Sequence, residues 1–172
     1  MNIETIAEIF KTIVNSCSNS GLEFDTSNSI ELTGGEAVTC GVTLQGVCVK
    51  DVFSGESQWY QFAGAGIGIG GGFPLGMTAS DSTFPSTGSR ILAGPFSWNV
   101  YFDDLVGAGH IFTLSASLIG GQGVSILSFG EYLGEAGLAT AYLVSEGMTI
   151  GMAGGAGVMA YKGIWYKTDA EF

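Results

Sequence analysis

His110 is the only histidine in the chain, so a Ser-His-Asp or Cys-His nucleophile system, or most zinc sites, would have to be built on it. It follows Gly107-Ala108-Gly109 at the head of a strand-like segment, and no G-x-S-x-G elbow accompanies it. A lone histidine without those partners is read as structural, and His110→Ala is expected to fold normally. The acids Asp103, Asp104, Glu131 and Glu135 raise a second chemistry. Glycoside hydrolysis needs two carboxylates at a fixed separation, which Asp103 and Glu131 could supply across neighbouring strands. Nothing in their spacing requires it, and a calcium loop needs oxygen ligands at short alternating intervals that are missing here. Gly66-Ile-Gly-Ile-Gly-Gly71 matches G-x-G-x-x-G, but Gly72-Phe73-Pro74 follows where dinucleotide binding needs a helix. No catalytic residue, metal ligand or cofactor is assigned. A hydrolase using Asp103, Asp104, Glu131 or His110 ranks third among the functional readings.

The aromatic residues point to binding. Trp59-Tyr60, Trp98 with Tyr101, and Trp165 with Tyr166 set each tryptophan beside other aromatics in strand-like sequence. Such side chains join an apolar face to a polar tip, which suits the rim of a cavity or an interface. Trp59, Tyr60, Trp98, Tyr101 and Trp165 are the expected ligand-binding residues, and a small apolar molecule is the expected ligand. The exterior would otherwise meet a protein partner.

These residues must be positioned by a glycine-rich sheet. Glycine accounts for 29 of 172 residues and alternates with apolar residues over 60–69 and 148–161. In the first stretch Tyr60, Phe62, Gly64, Gly66 and Gly68 share one face, and Gln61, Ala63, Ala65, Ile67 and Ile69 the other. Glycine weakens a strand unless something approaches its backbone closely or the sheet bends sharply. A crowded, tightly coiled sheet follows, and the expected fold is a mostly-β single domain over 1–172. It is a compact antiparallel β-barrel of about eight strands, in Greek-key or meander halves. Faces full of glycine argue against a cavity.

Residues 3–14 carry apolar side chains at helical spacing, with Asn2 as N-cap, and predict an N-terminal amphipathic helix within a lead-in over 1–20. From residue 29 the period is two. Strands are expected at Ser29–Thr33, Ala37–Leu44, Val47–Phe53 and Gln58–Ile69, with a turn at Gln45-Gly46. Residues 70–90 hold two prolines and much Ser and Thr and predict one long loop. Phe96, Trp98, Val100 and Phe102 alternate as a strand. Next comes a hairpin turning at 120–123, with Thr113, Ser115 and Ser117 expected to face water. A strand over Leu138–Val144 should turn at Ser145–Gly147 into Met148–Met152, and the last strand should run Val158–Lys167.

The balance of 16 acids against 5 bases, net −11, excludes nucleic-acid binding and electrostatic docking to an anionic membrane surface. No cleavable signal or membrane-spanning helix is visible, so the sequence reads as cytoplasmic or exported by a signal-independent route. Cys40 and Cys48 would point to opposite faces if both neighbouring apolar sets faced one core, which argues against a disulfide. A non-catalytic binding or interaction protein is the expectation. The alternative is a membrane-active or host-directed effector that contacts membranes without residing in one. Alternation of Gly and Ala with Ile, Val and Met is what membrane-barrel strands show, and outward hydroxyl faces would count against it.

Overall fold

The computed structural model describes residues 15–34, 38–70, 76–82, 90–97, 99–117, 121–134, 138–149 and 155–169. The helix expected over 3–14 lies outside them, as do Trp98 and Glu135. Nine strands form one antiparallel sheet: β1 (Ser18–Gly34), β2 (Val38–Asp51), β3 (Ser57–Gly70), β4 (Gly76–Ser82), β5 (Arg90–Ala93), β6 (Gly107–Ser117), β7 (Gly121–Glu131), β8 (Ala139–Thr149) and β9 (Gly155–Thr168). The order β2-β3-β9-β6-β7-β8-β5-β1 closes into a ring, because β1 also pairs with β2. The ninth strand, β4, lies on the edge of β1 above β5. Among the described residues it has no second partner, and β8 beyond Leu143 pairs with β7 alone.

One end of the ring, here called lower, is stopped by the segment between β5 and β6. Val100 and Leu105 are buried there, and the Tyr60 hydroxyl donates to the Phe102 carbonyl at 2.7 Å. Above this stopper the core is conventional. Leu22, Phe24, Val47, Val49, Phe62, Leu127, Phe129, Leu143 and Trp165 all point into the ring and are buried. Burying apolar side chains at about 25 cal/mol per Å² is what holds this half together.

The upper half is built the other way round. On β2 the inward positions change from Val47 and Val49 to Gln45, Thr43 and Gly41, while Leu44, Val42 and Val38 turn outward and are exposed. On β3 Tyr60 and Phe62 point in, glycines follow at 64, 66 and 68, and Ala63, Ala65, Ile67 and Ile69 face out, exposed. The strands run straight through this inversion. Val38 to Lys50 pair without interruption with Ile69 to Ser57, so no turn occurs at Gln45-Gly46. The expected turn rested on the premise that every apolar set faces one core; here the backbone continues and the apolar set changes sides. For the same reason β8 runs through Ser145–Gly147 instead of turning there.

The glycines make the curvature and packing feasible. Gly64, Gly163 and Gly109 lie side by side across β3, β9 and β6. A Cβ on Gly64 would lie 2.3 Å from Phe62 Cε1, and one on Gly109 would lie 2.4 Å from Trp165 Cδ1. The aromatic rings therefore lie flat on bare backbone. Higher up, Tyr161 covers Gly66 and Met159 covers Gly68 in the same manner. The expected crowding is present, and the large residues beside the glycines produce it.

Three further expectations change. The 70–90 stretch contains β4. Where a strand was expected, Phe96 lies in a turn, Asn99–Tyr101 are irregular and a 3₁₀ turn begins at Phe102, because the chain crosses the ring's end instead of joining its wall. On β6 Thr113 points into the ring and not outward: Ile111 and Leu127 point inward, which places Thr113 and Ser125 inward too, hydrogen-bonded to each other at 3.3 Å.

Candidate functional site

Four of the expected cavity residues are described, and they lie in different surroundings. Tyr60 and Trp165 are core, at 0% and 1% exposure, with their polar tips satisfied. Trp165 Nε1 donates to the Ser128 carbonyl at 2.9 Å, and its ring sits 5.0 Å from Phe62 and 4.4 Å from Phe129. Trp59 neighbours Tyr60 on β3 and so points to the other face, where it is partly exposed. Tyr101 is 65% exposed at the lower end. Burial pushes the Tyr60 hydroxyl far above the ordinary phenol range, and the Asp103 and Asp104 carboxylates add to this.

The acids separate as well. Asp103 is exposed and ion-paired with Lys167, while Asp104 accepts from the Tyr101 amide at 2.9 Å. Glu131 instead reaches His110, Nδ1 to Oε1 at 2.7 Å and to Oε2 at 2.8 Å. Its side chain is fully buried and its Oε1 also accepts the Ser128 hydroxyl. Gly130, at φ 59°, bends the strand so that Glu131 can reach the face carrying His110. A Cβ there would also strike the Asp104 carbonyl at 2.2 Å.

The trio contains serine, histidine and carboxylate, yet it is not arranged as a hydrolytic relay. A relay needs the serine on the imidazole nitrogen remote from the carboxylate. Here the serine hydroxyl is on the carboxylate itself, Ser128 is 1% exposed, and its oxygen accepts the His110 amide at 2.8 Å. The arrangement satisfies a buried carboxylate and ties β6 to the end of β7. Among the described residues no group of three His, Cys, Asp or Glu side chains could hold a metal. Gly66, Gly68 and Gly70 lie in extended β3, and Gly71, the last glycine of the G-x-G-x-x-G match, lies outside the described residues.

The feature left without a structural explanation is the outward face of β2, β3 and β9. Val42, Leu44, Ala63, Ala65, Ile67 and Ile69 adjoin one another across the β2–β3 ladder. Ile164 extends the face onto β9, at 60% exposure, and Ile69 reaches 75%. Lys162 is its one charged member. Toward the lower end the face is bordered by Trp59 and by Tyr166, whose hydroxyl donates to Gln61 Oε1 at 2.8 Å. The outward face of β7 and β8 differs, since Ile126, Ser128 and Tyr142 are buried there. Cys40 belongs to the exposed face and Cys48, eight positions along the same strand, is buried; neither is in a disulfide.

Comparison with protein-family models, curated proteins and solved structures finds no match. Sequence reasoning passed over the outward face although its signal was present. The apolar phase changes parity between Leu44 and Val47 and between Phe62 and Ala63. No turn residue in β3 explains that change.

Proposed function

We propose that the protein acts by binding, and that the upper half of its ring is a β-barrel wall that seats in the apolar layer of a membrane. The observation that carries this is the inversion of polarity along unbroken strands. Glycine and hydroxyl residues, with Met159 among them, point in at the level where Val42, Leu44, Ile67, Ile69 and Ile164 point out. Apolar-out, polar-in alternation with aromatic residues at the water boundary is the pattern of a lipid-facing barrel wall. Trp59 and Tyr166 stand at that boundary. The apolar stretch of β3, Ala63–Ile69, measures roughly 20 Å at ~3.4 Å per residue, and a typical tilt reduces this to about 15 Å. That is about half of a ~30 Å hydrocarbon core, which fits seating in one leaflet. With net charge −11 the driving force is apolar, and neutral lipid suits it better than anionic lipid.

The test is flotation with phosphatidylcholine vesicles, comparing the native protein with Ile67→Lys/Ile69→Lys. Each isoleucine moved into lipid contributes about 2 kcal/mol, so losing two lowers partitioning by a hundredfold or more. Both side chains are largely exposed, so thermal stability should stay within about 2 °C. A native protein that stays with the aqueous fraction would refute the proposal and leave the face to a protein partner. So would a variant that floats equally well.

A further inference from the structure

We infer that the lower end of the ring is a docking surface for a cationic, amphipathic polypeptide segment, independent of the upper half. Three connections meet at this end: the β2–β3 turn, the β5–β6 segment and the β7–β8 turn. Each leaves a large apolar side chain in water. Phe53 is 90% exposed, Phe96 75%, Tyr132 70% and Leu133 80%, and Tyr101 lies on the same end.

Their backbones are not slack. Asp51 Oδ1 accepts the amides of Phe53 at 2.7 Å and Ser54 at 3.2 Å, and the Val52 amide donates to the Gly21 carbonyl at 3.0 Å. The Ser97 amide closes the Phe96 turn on Gly94, whose own amide is held by the Thr140 carbonyl. Leu133 sits at φ 55°, a conformation that a leucine adopts only at a cost. Apolar groups held out on fixed turns are pre-ordered for a partner, which lowers the entropy lost on docking.

Charge selects the partner's chemistry. Glu56, Asp103, Asp104 and Asp169 lie at this end with Asp51, against Lys50 and Lys167, and Lys167 is already held by Asp103. An anionic lipid surface is repelled by such a rim, whereas a peptide carrying lysines beside a leucine stripe meets both features.

The probe is a labelled synthetic helix of lysine and leucine with its leucines at i, i+3, i+4 spacing, read by fluorescence anisotropy. Its scrambled isomer serves as control. The helix should bind the native protein with an affinity that falls with salt. Phe96→Ser/Leu133→Gly should weaken it about tenfold or more. Ile67→Lys/Ile69→Lys should leave it unchanged, which separates this surface from the membrane-facing one. Equal binding of the scrambled isomer, or an unchanged affinity for the Phe96/Leu133 variant, would overturn the inference. Loss of binding in the Ile67/Ile69 variant would also overturn it, by moving the site to the upper half.

Discussion

If the glycines of β3 exist to seat aromatic rings, filling one seat should be costly only while its ring is present. Gly64→Ala is the cleanest case. The new methyl would lie 2.3 Å from Cε1 and 2.6 Å from Cζ of Phe62, but 3.0 Å from the nearest backbone atom, the Lys162 carbonyl oxygen. Phe62 cannot swing aside, because it is fully buried and Trp165 lies 5.0 Å away. Overpacking of this kind costs about 1–3 kcal/mol, offset by the ~0.5–1 kcal/mol that alanine gains over glycine in a strand. The net expectation is a loss of about 1.5 kcal/mol, or a Tm lower by about 3–6 °C for a chain of this length.

Phe62→Leu alone leaves a partial void, and should cost about 1.5 kcal/mol by interpolation from the ~3–5 kcal/mol of Phe→Ala. In the double variant the alanine occupies space the ring has vacated, so the total should remain near 1.5 kcal/mol instead of doubling. Urea unfolding of the four proteins measures the cycle. Costs that add within about 0.5 kcal/mol would refute the seating argument, since that is how non-interacting sites behave. Gly163→Ala is the control. Its Cβ would meet the Ala63 carbonyl oxygen at 2.1 Å and Gly64 Cα at 2.6 Å, both backbone, beside Phe62 Cζ at 2.7 Å, so Phe62→Leu should leave most of its cost in place.

Three other outcomes are expected. His110→Ala leaves the buried Glu131 carboxylate with Ser128 and no imidazole, so urea unfolding at neutral pH should show a loss of about 3 kcal/mol, partly recovered in His110→Gln. This replaces the expectation that His110→Ala folds normally. Gly130→Ala combines a left-handed φ of 59° with a 2.2 Å approach to the Asp104 carbonyl, and should cost about 3 kcal/mol or more and reduce soluble yield. The Tyr60 and Tyr142 hydroxyls are both held above the ordinary phenol range, chiefly by burial. The unfolded chain therefore gives up these protons first, and the stability they contribute is present below about pH 10 and lost as the pH rises above it. Phenolate absorbance of two tyrosines should thus appear with unfolding and not before it.

Much of the wall was legible in the sequence. Alternation located the β6–β7 hairpin, the glycine faces announced close packing, and Cys40 and Cys48 were rightly kept apart, although for a different reason. What failed was the assignment of inside and outside. Period-two alternation reports which residues share a face, and says nothing about which face is inward. Leu44 and Val47 are both apolar and differ in parity, and a soluble single-core fold allows that only with a turn between them. Trp59 and Tyr60, expected to line one site, are adjacent in β3 and so point to opposite faces. The His110–Glu131 pair was not legible because it depends on the kink at Gly130, a conformation that nothing around that glycine announces.

The ring is fastened very unevenly around its circumference. Thirteen residue pairs join β2 to β3, whereas among the described residues β5 is joined to β8 by three, Ile91 to Ala93 against Leu143 to Ala141, and to β1 by three more. Above that clasp, among the described residues, β4 pairs with β1 alone and β8 with β7 alone. Cooperative opening under heat, denaturant or mechanical load should therefore start at one line, unrolling the cylinder into a curved sheet while its other ladders stay intact. That opened form would present two unpaired borders at once, the situation in which β-rich chains stick to their own copies. The hazard of aggregation is thus concentrated at the four-residue strand β5, and the protein's lifetime in solution is set by how often that strand lets go of a neighbour.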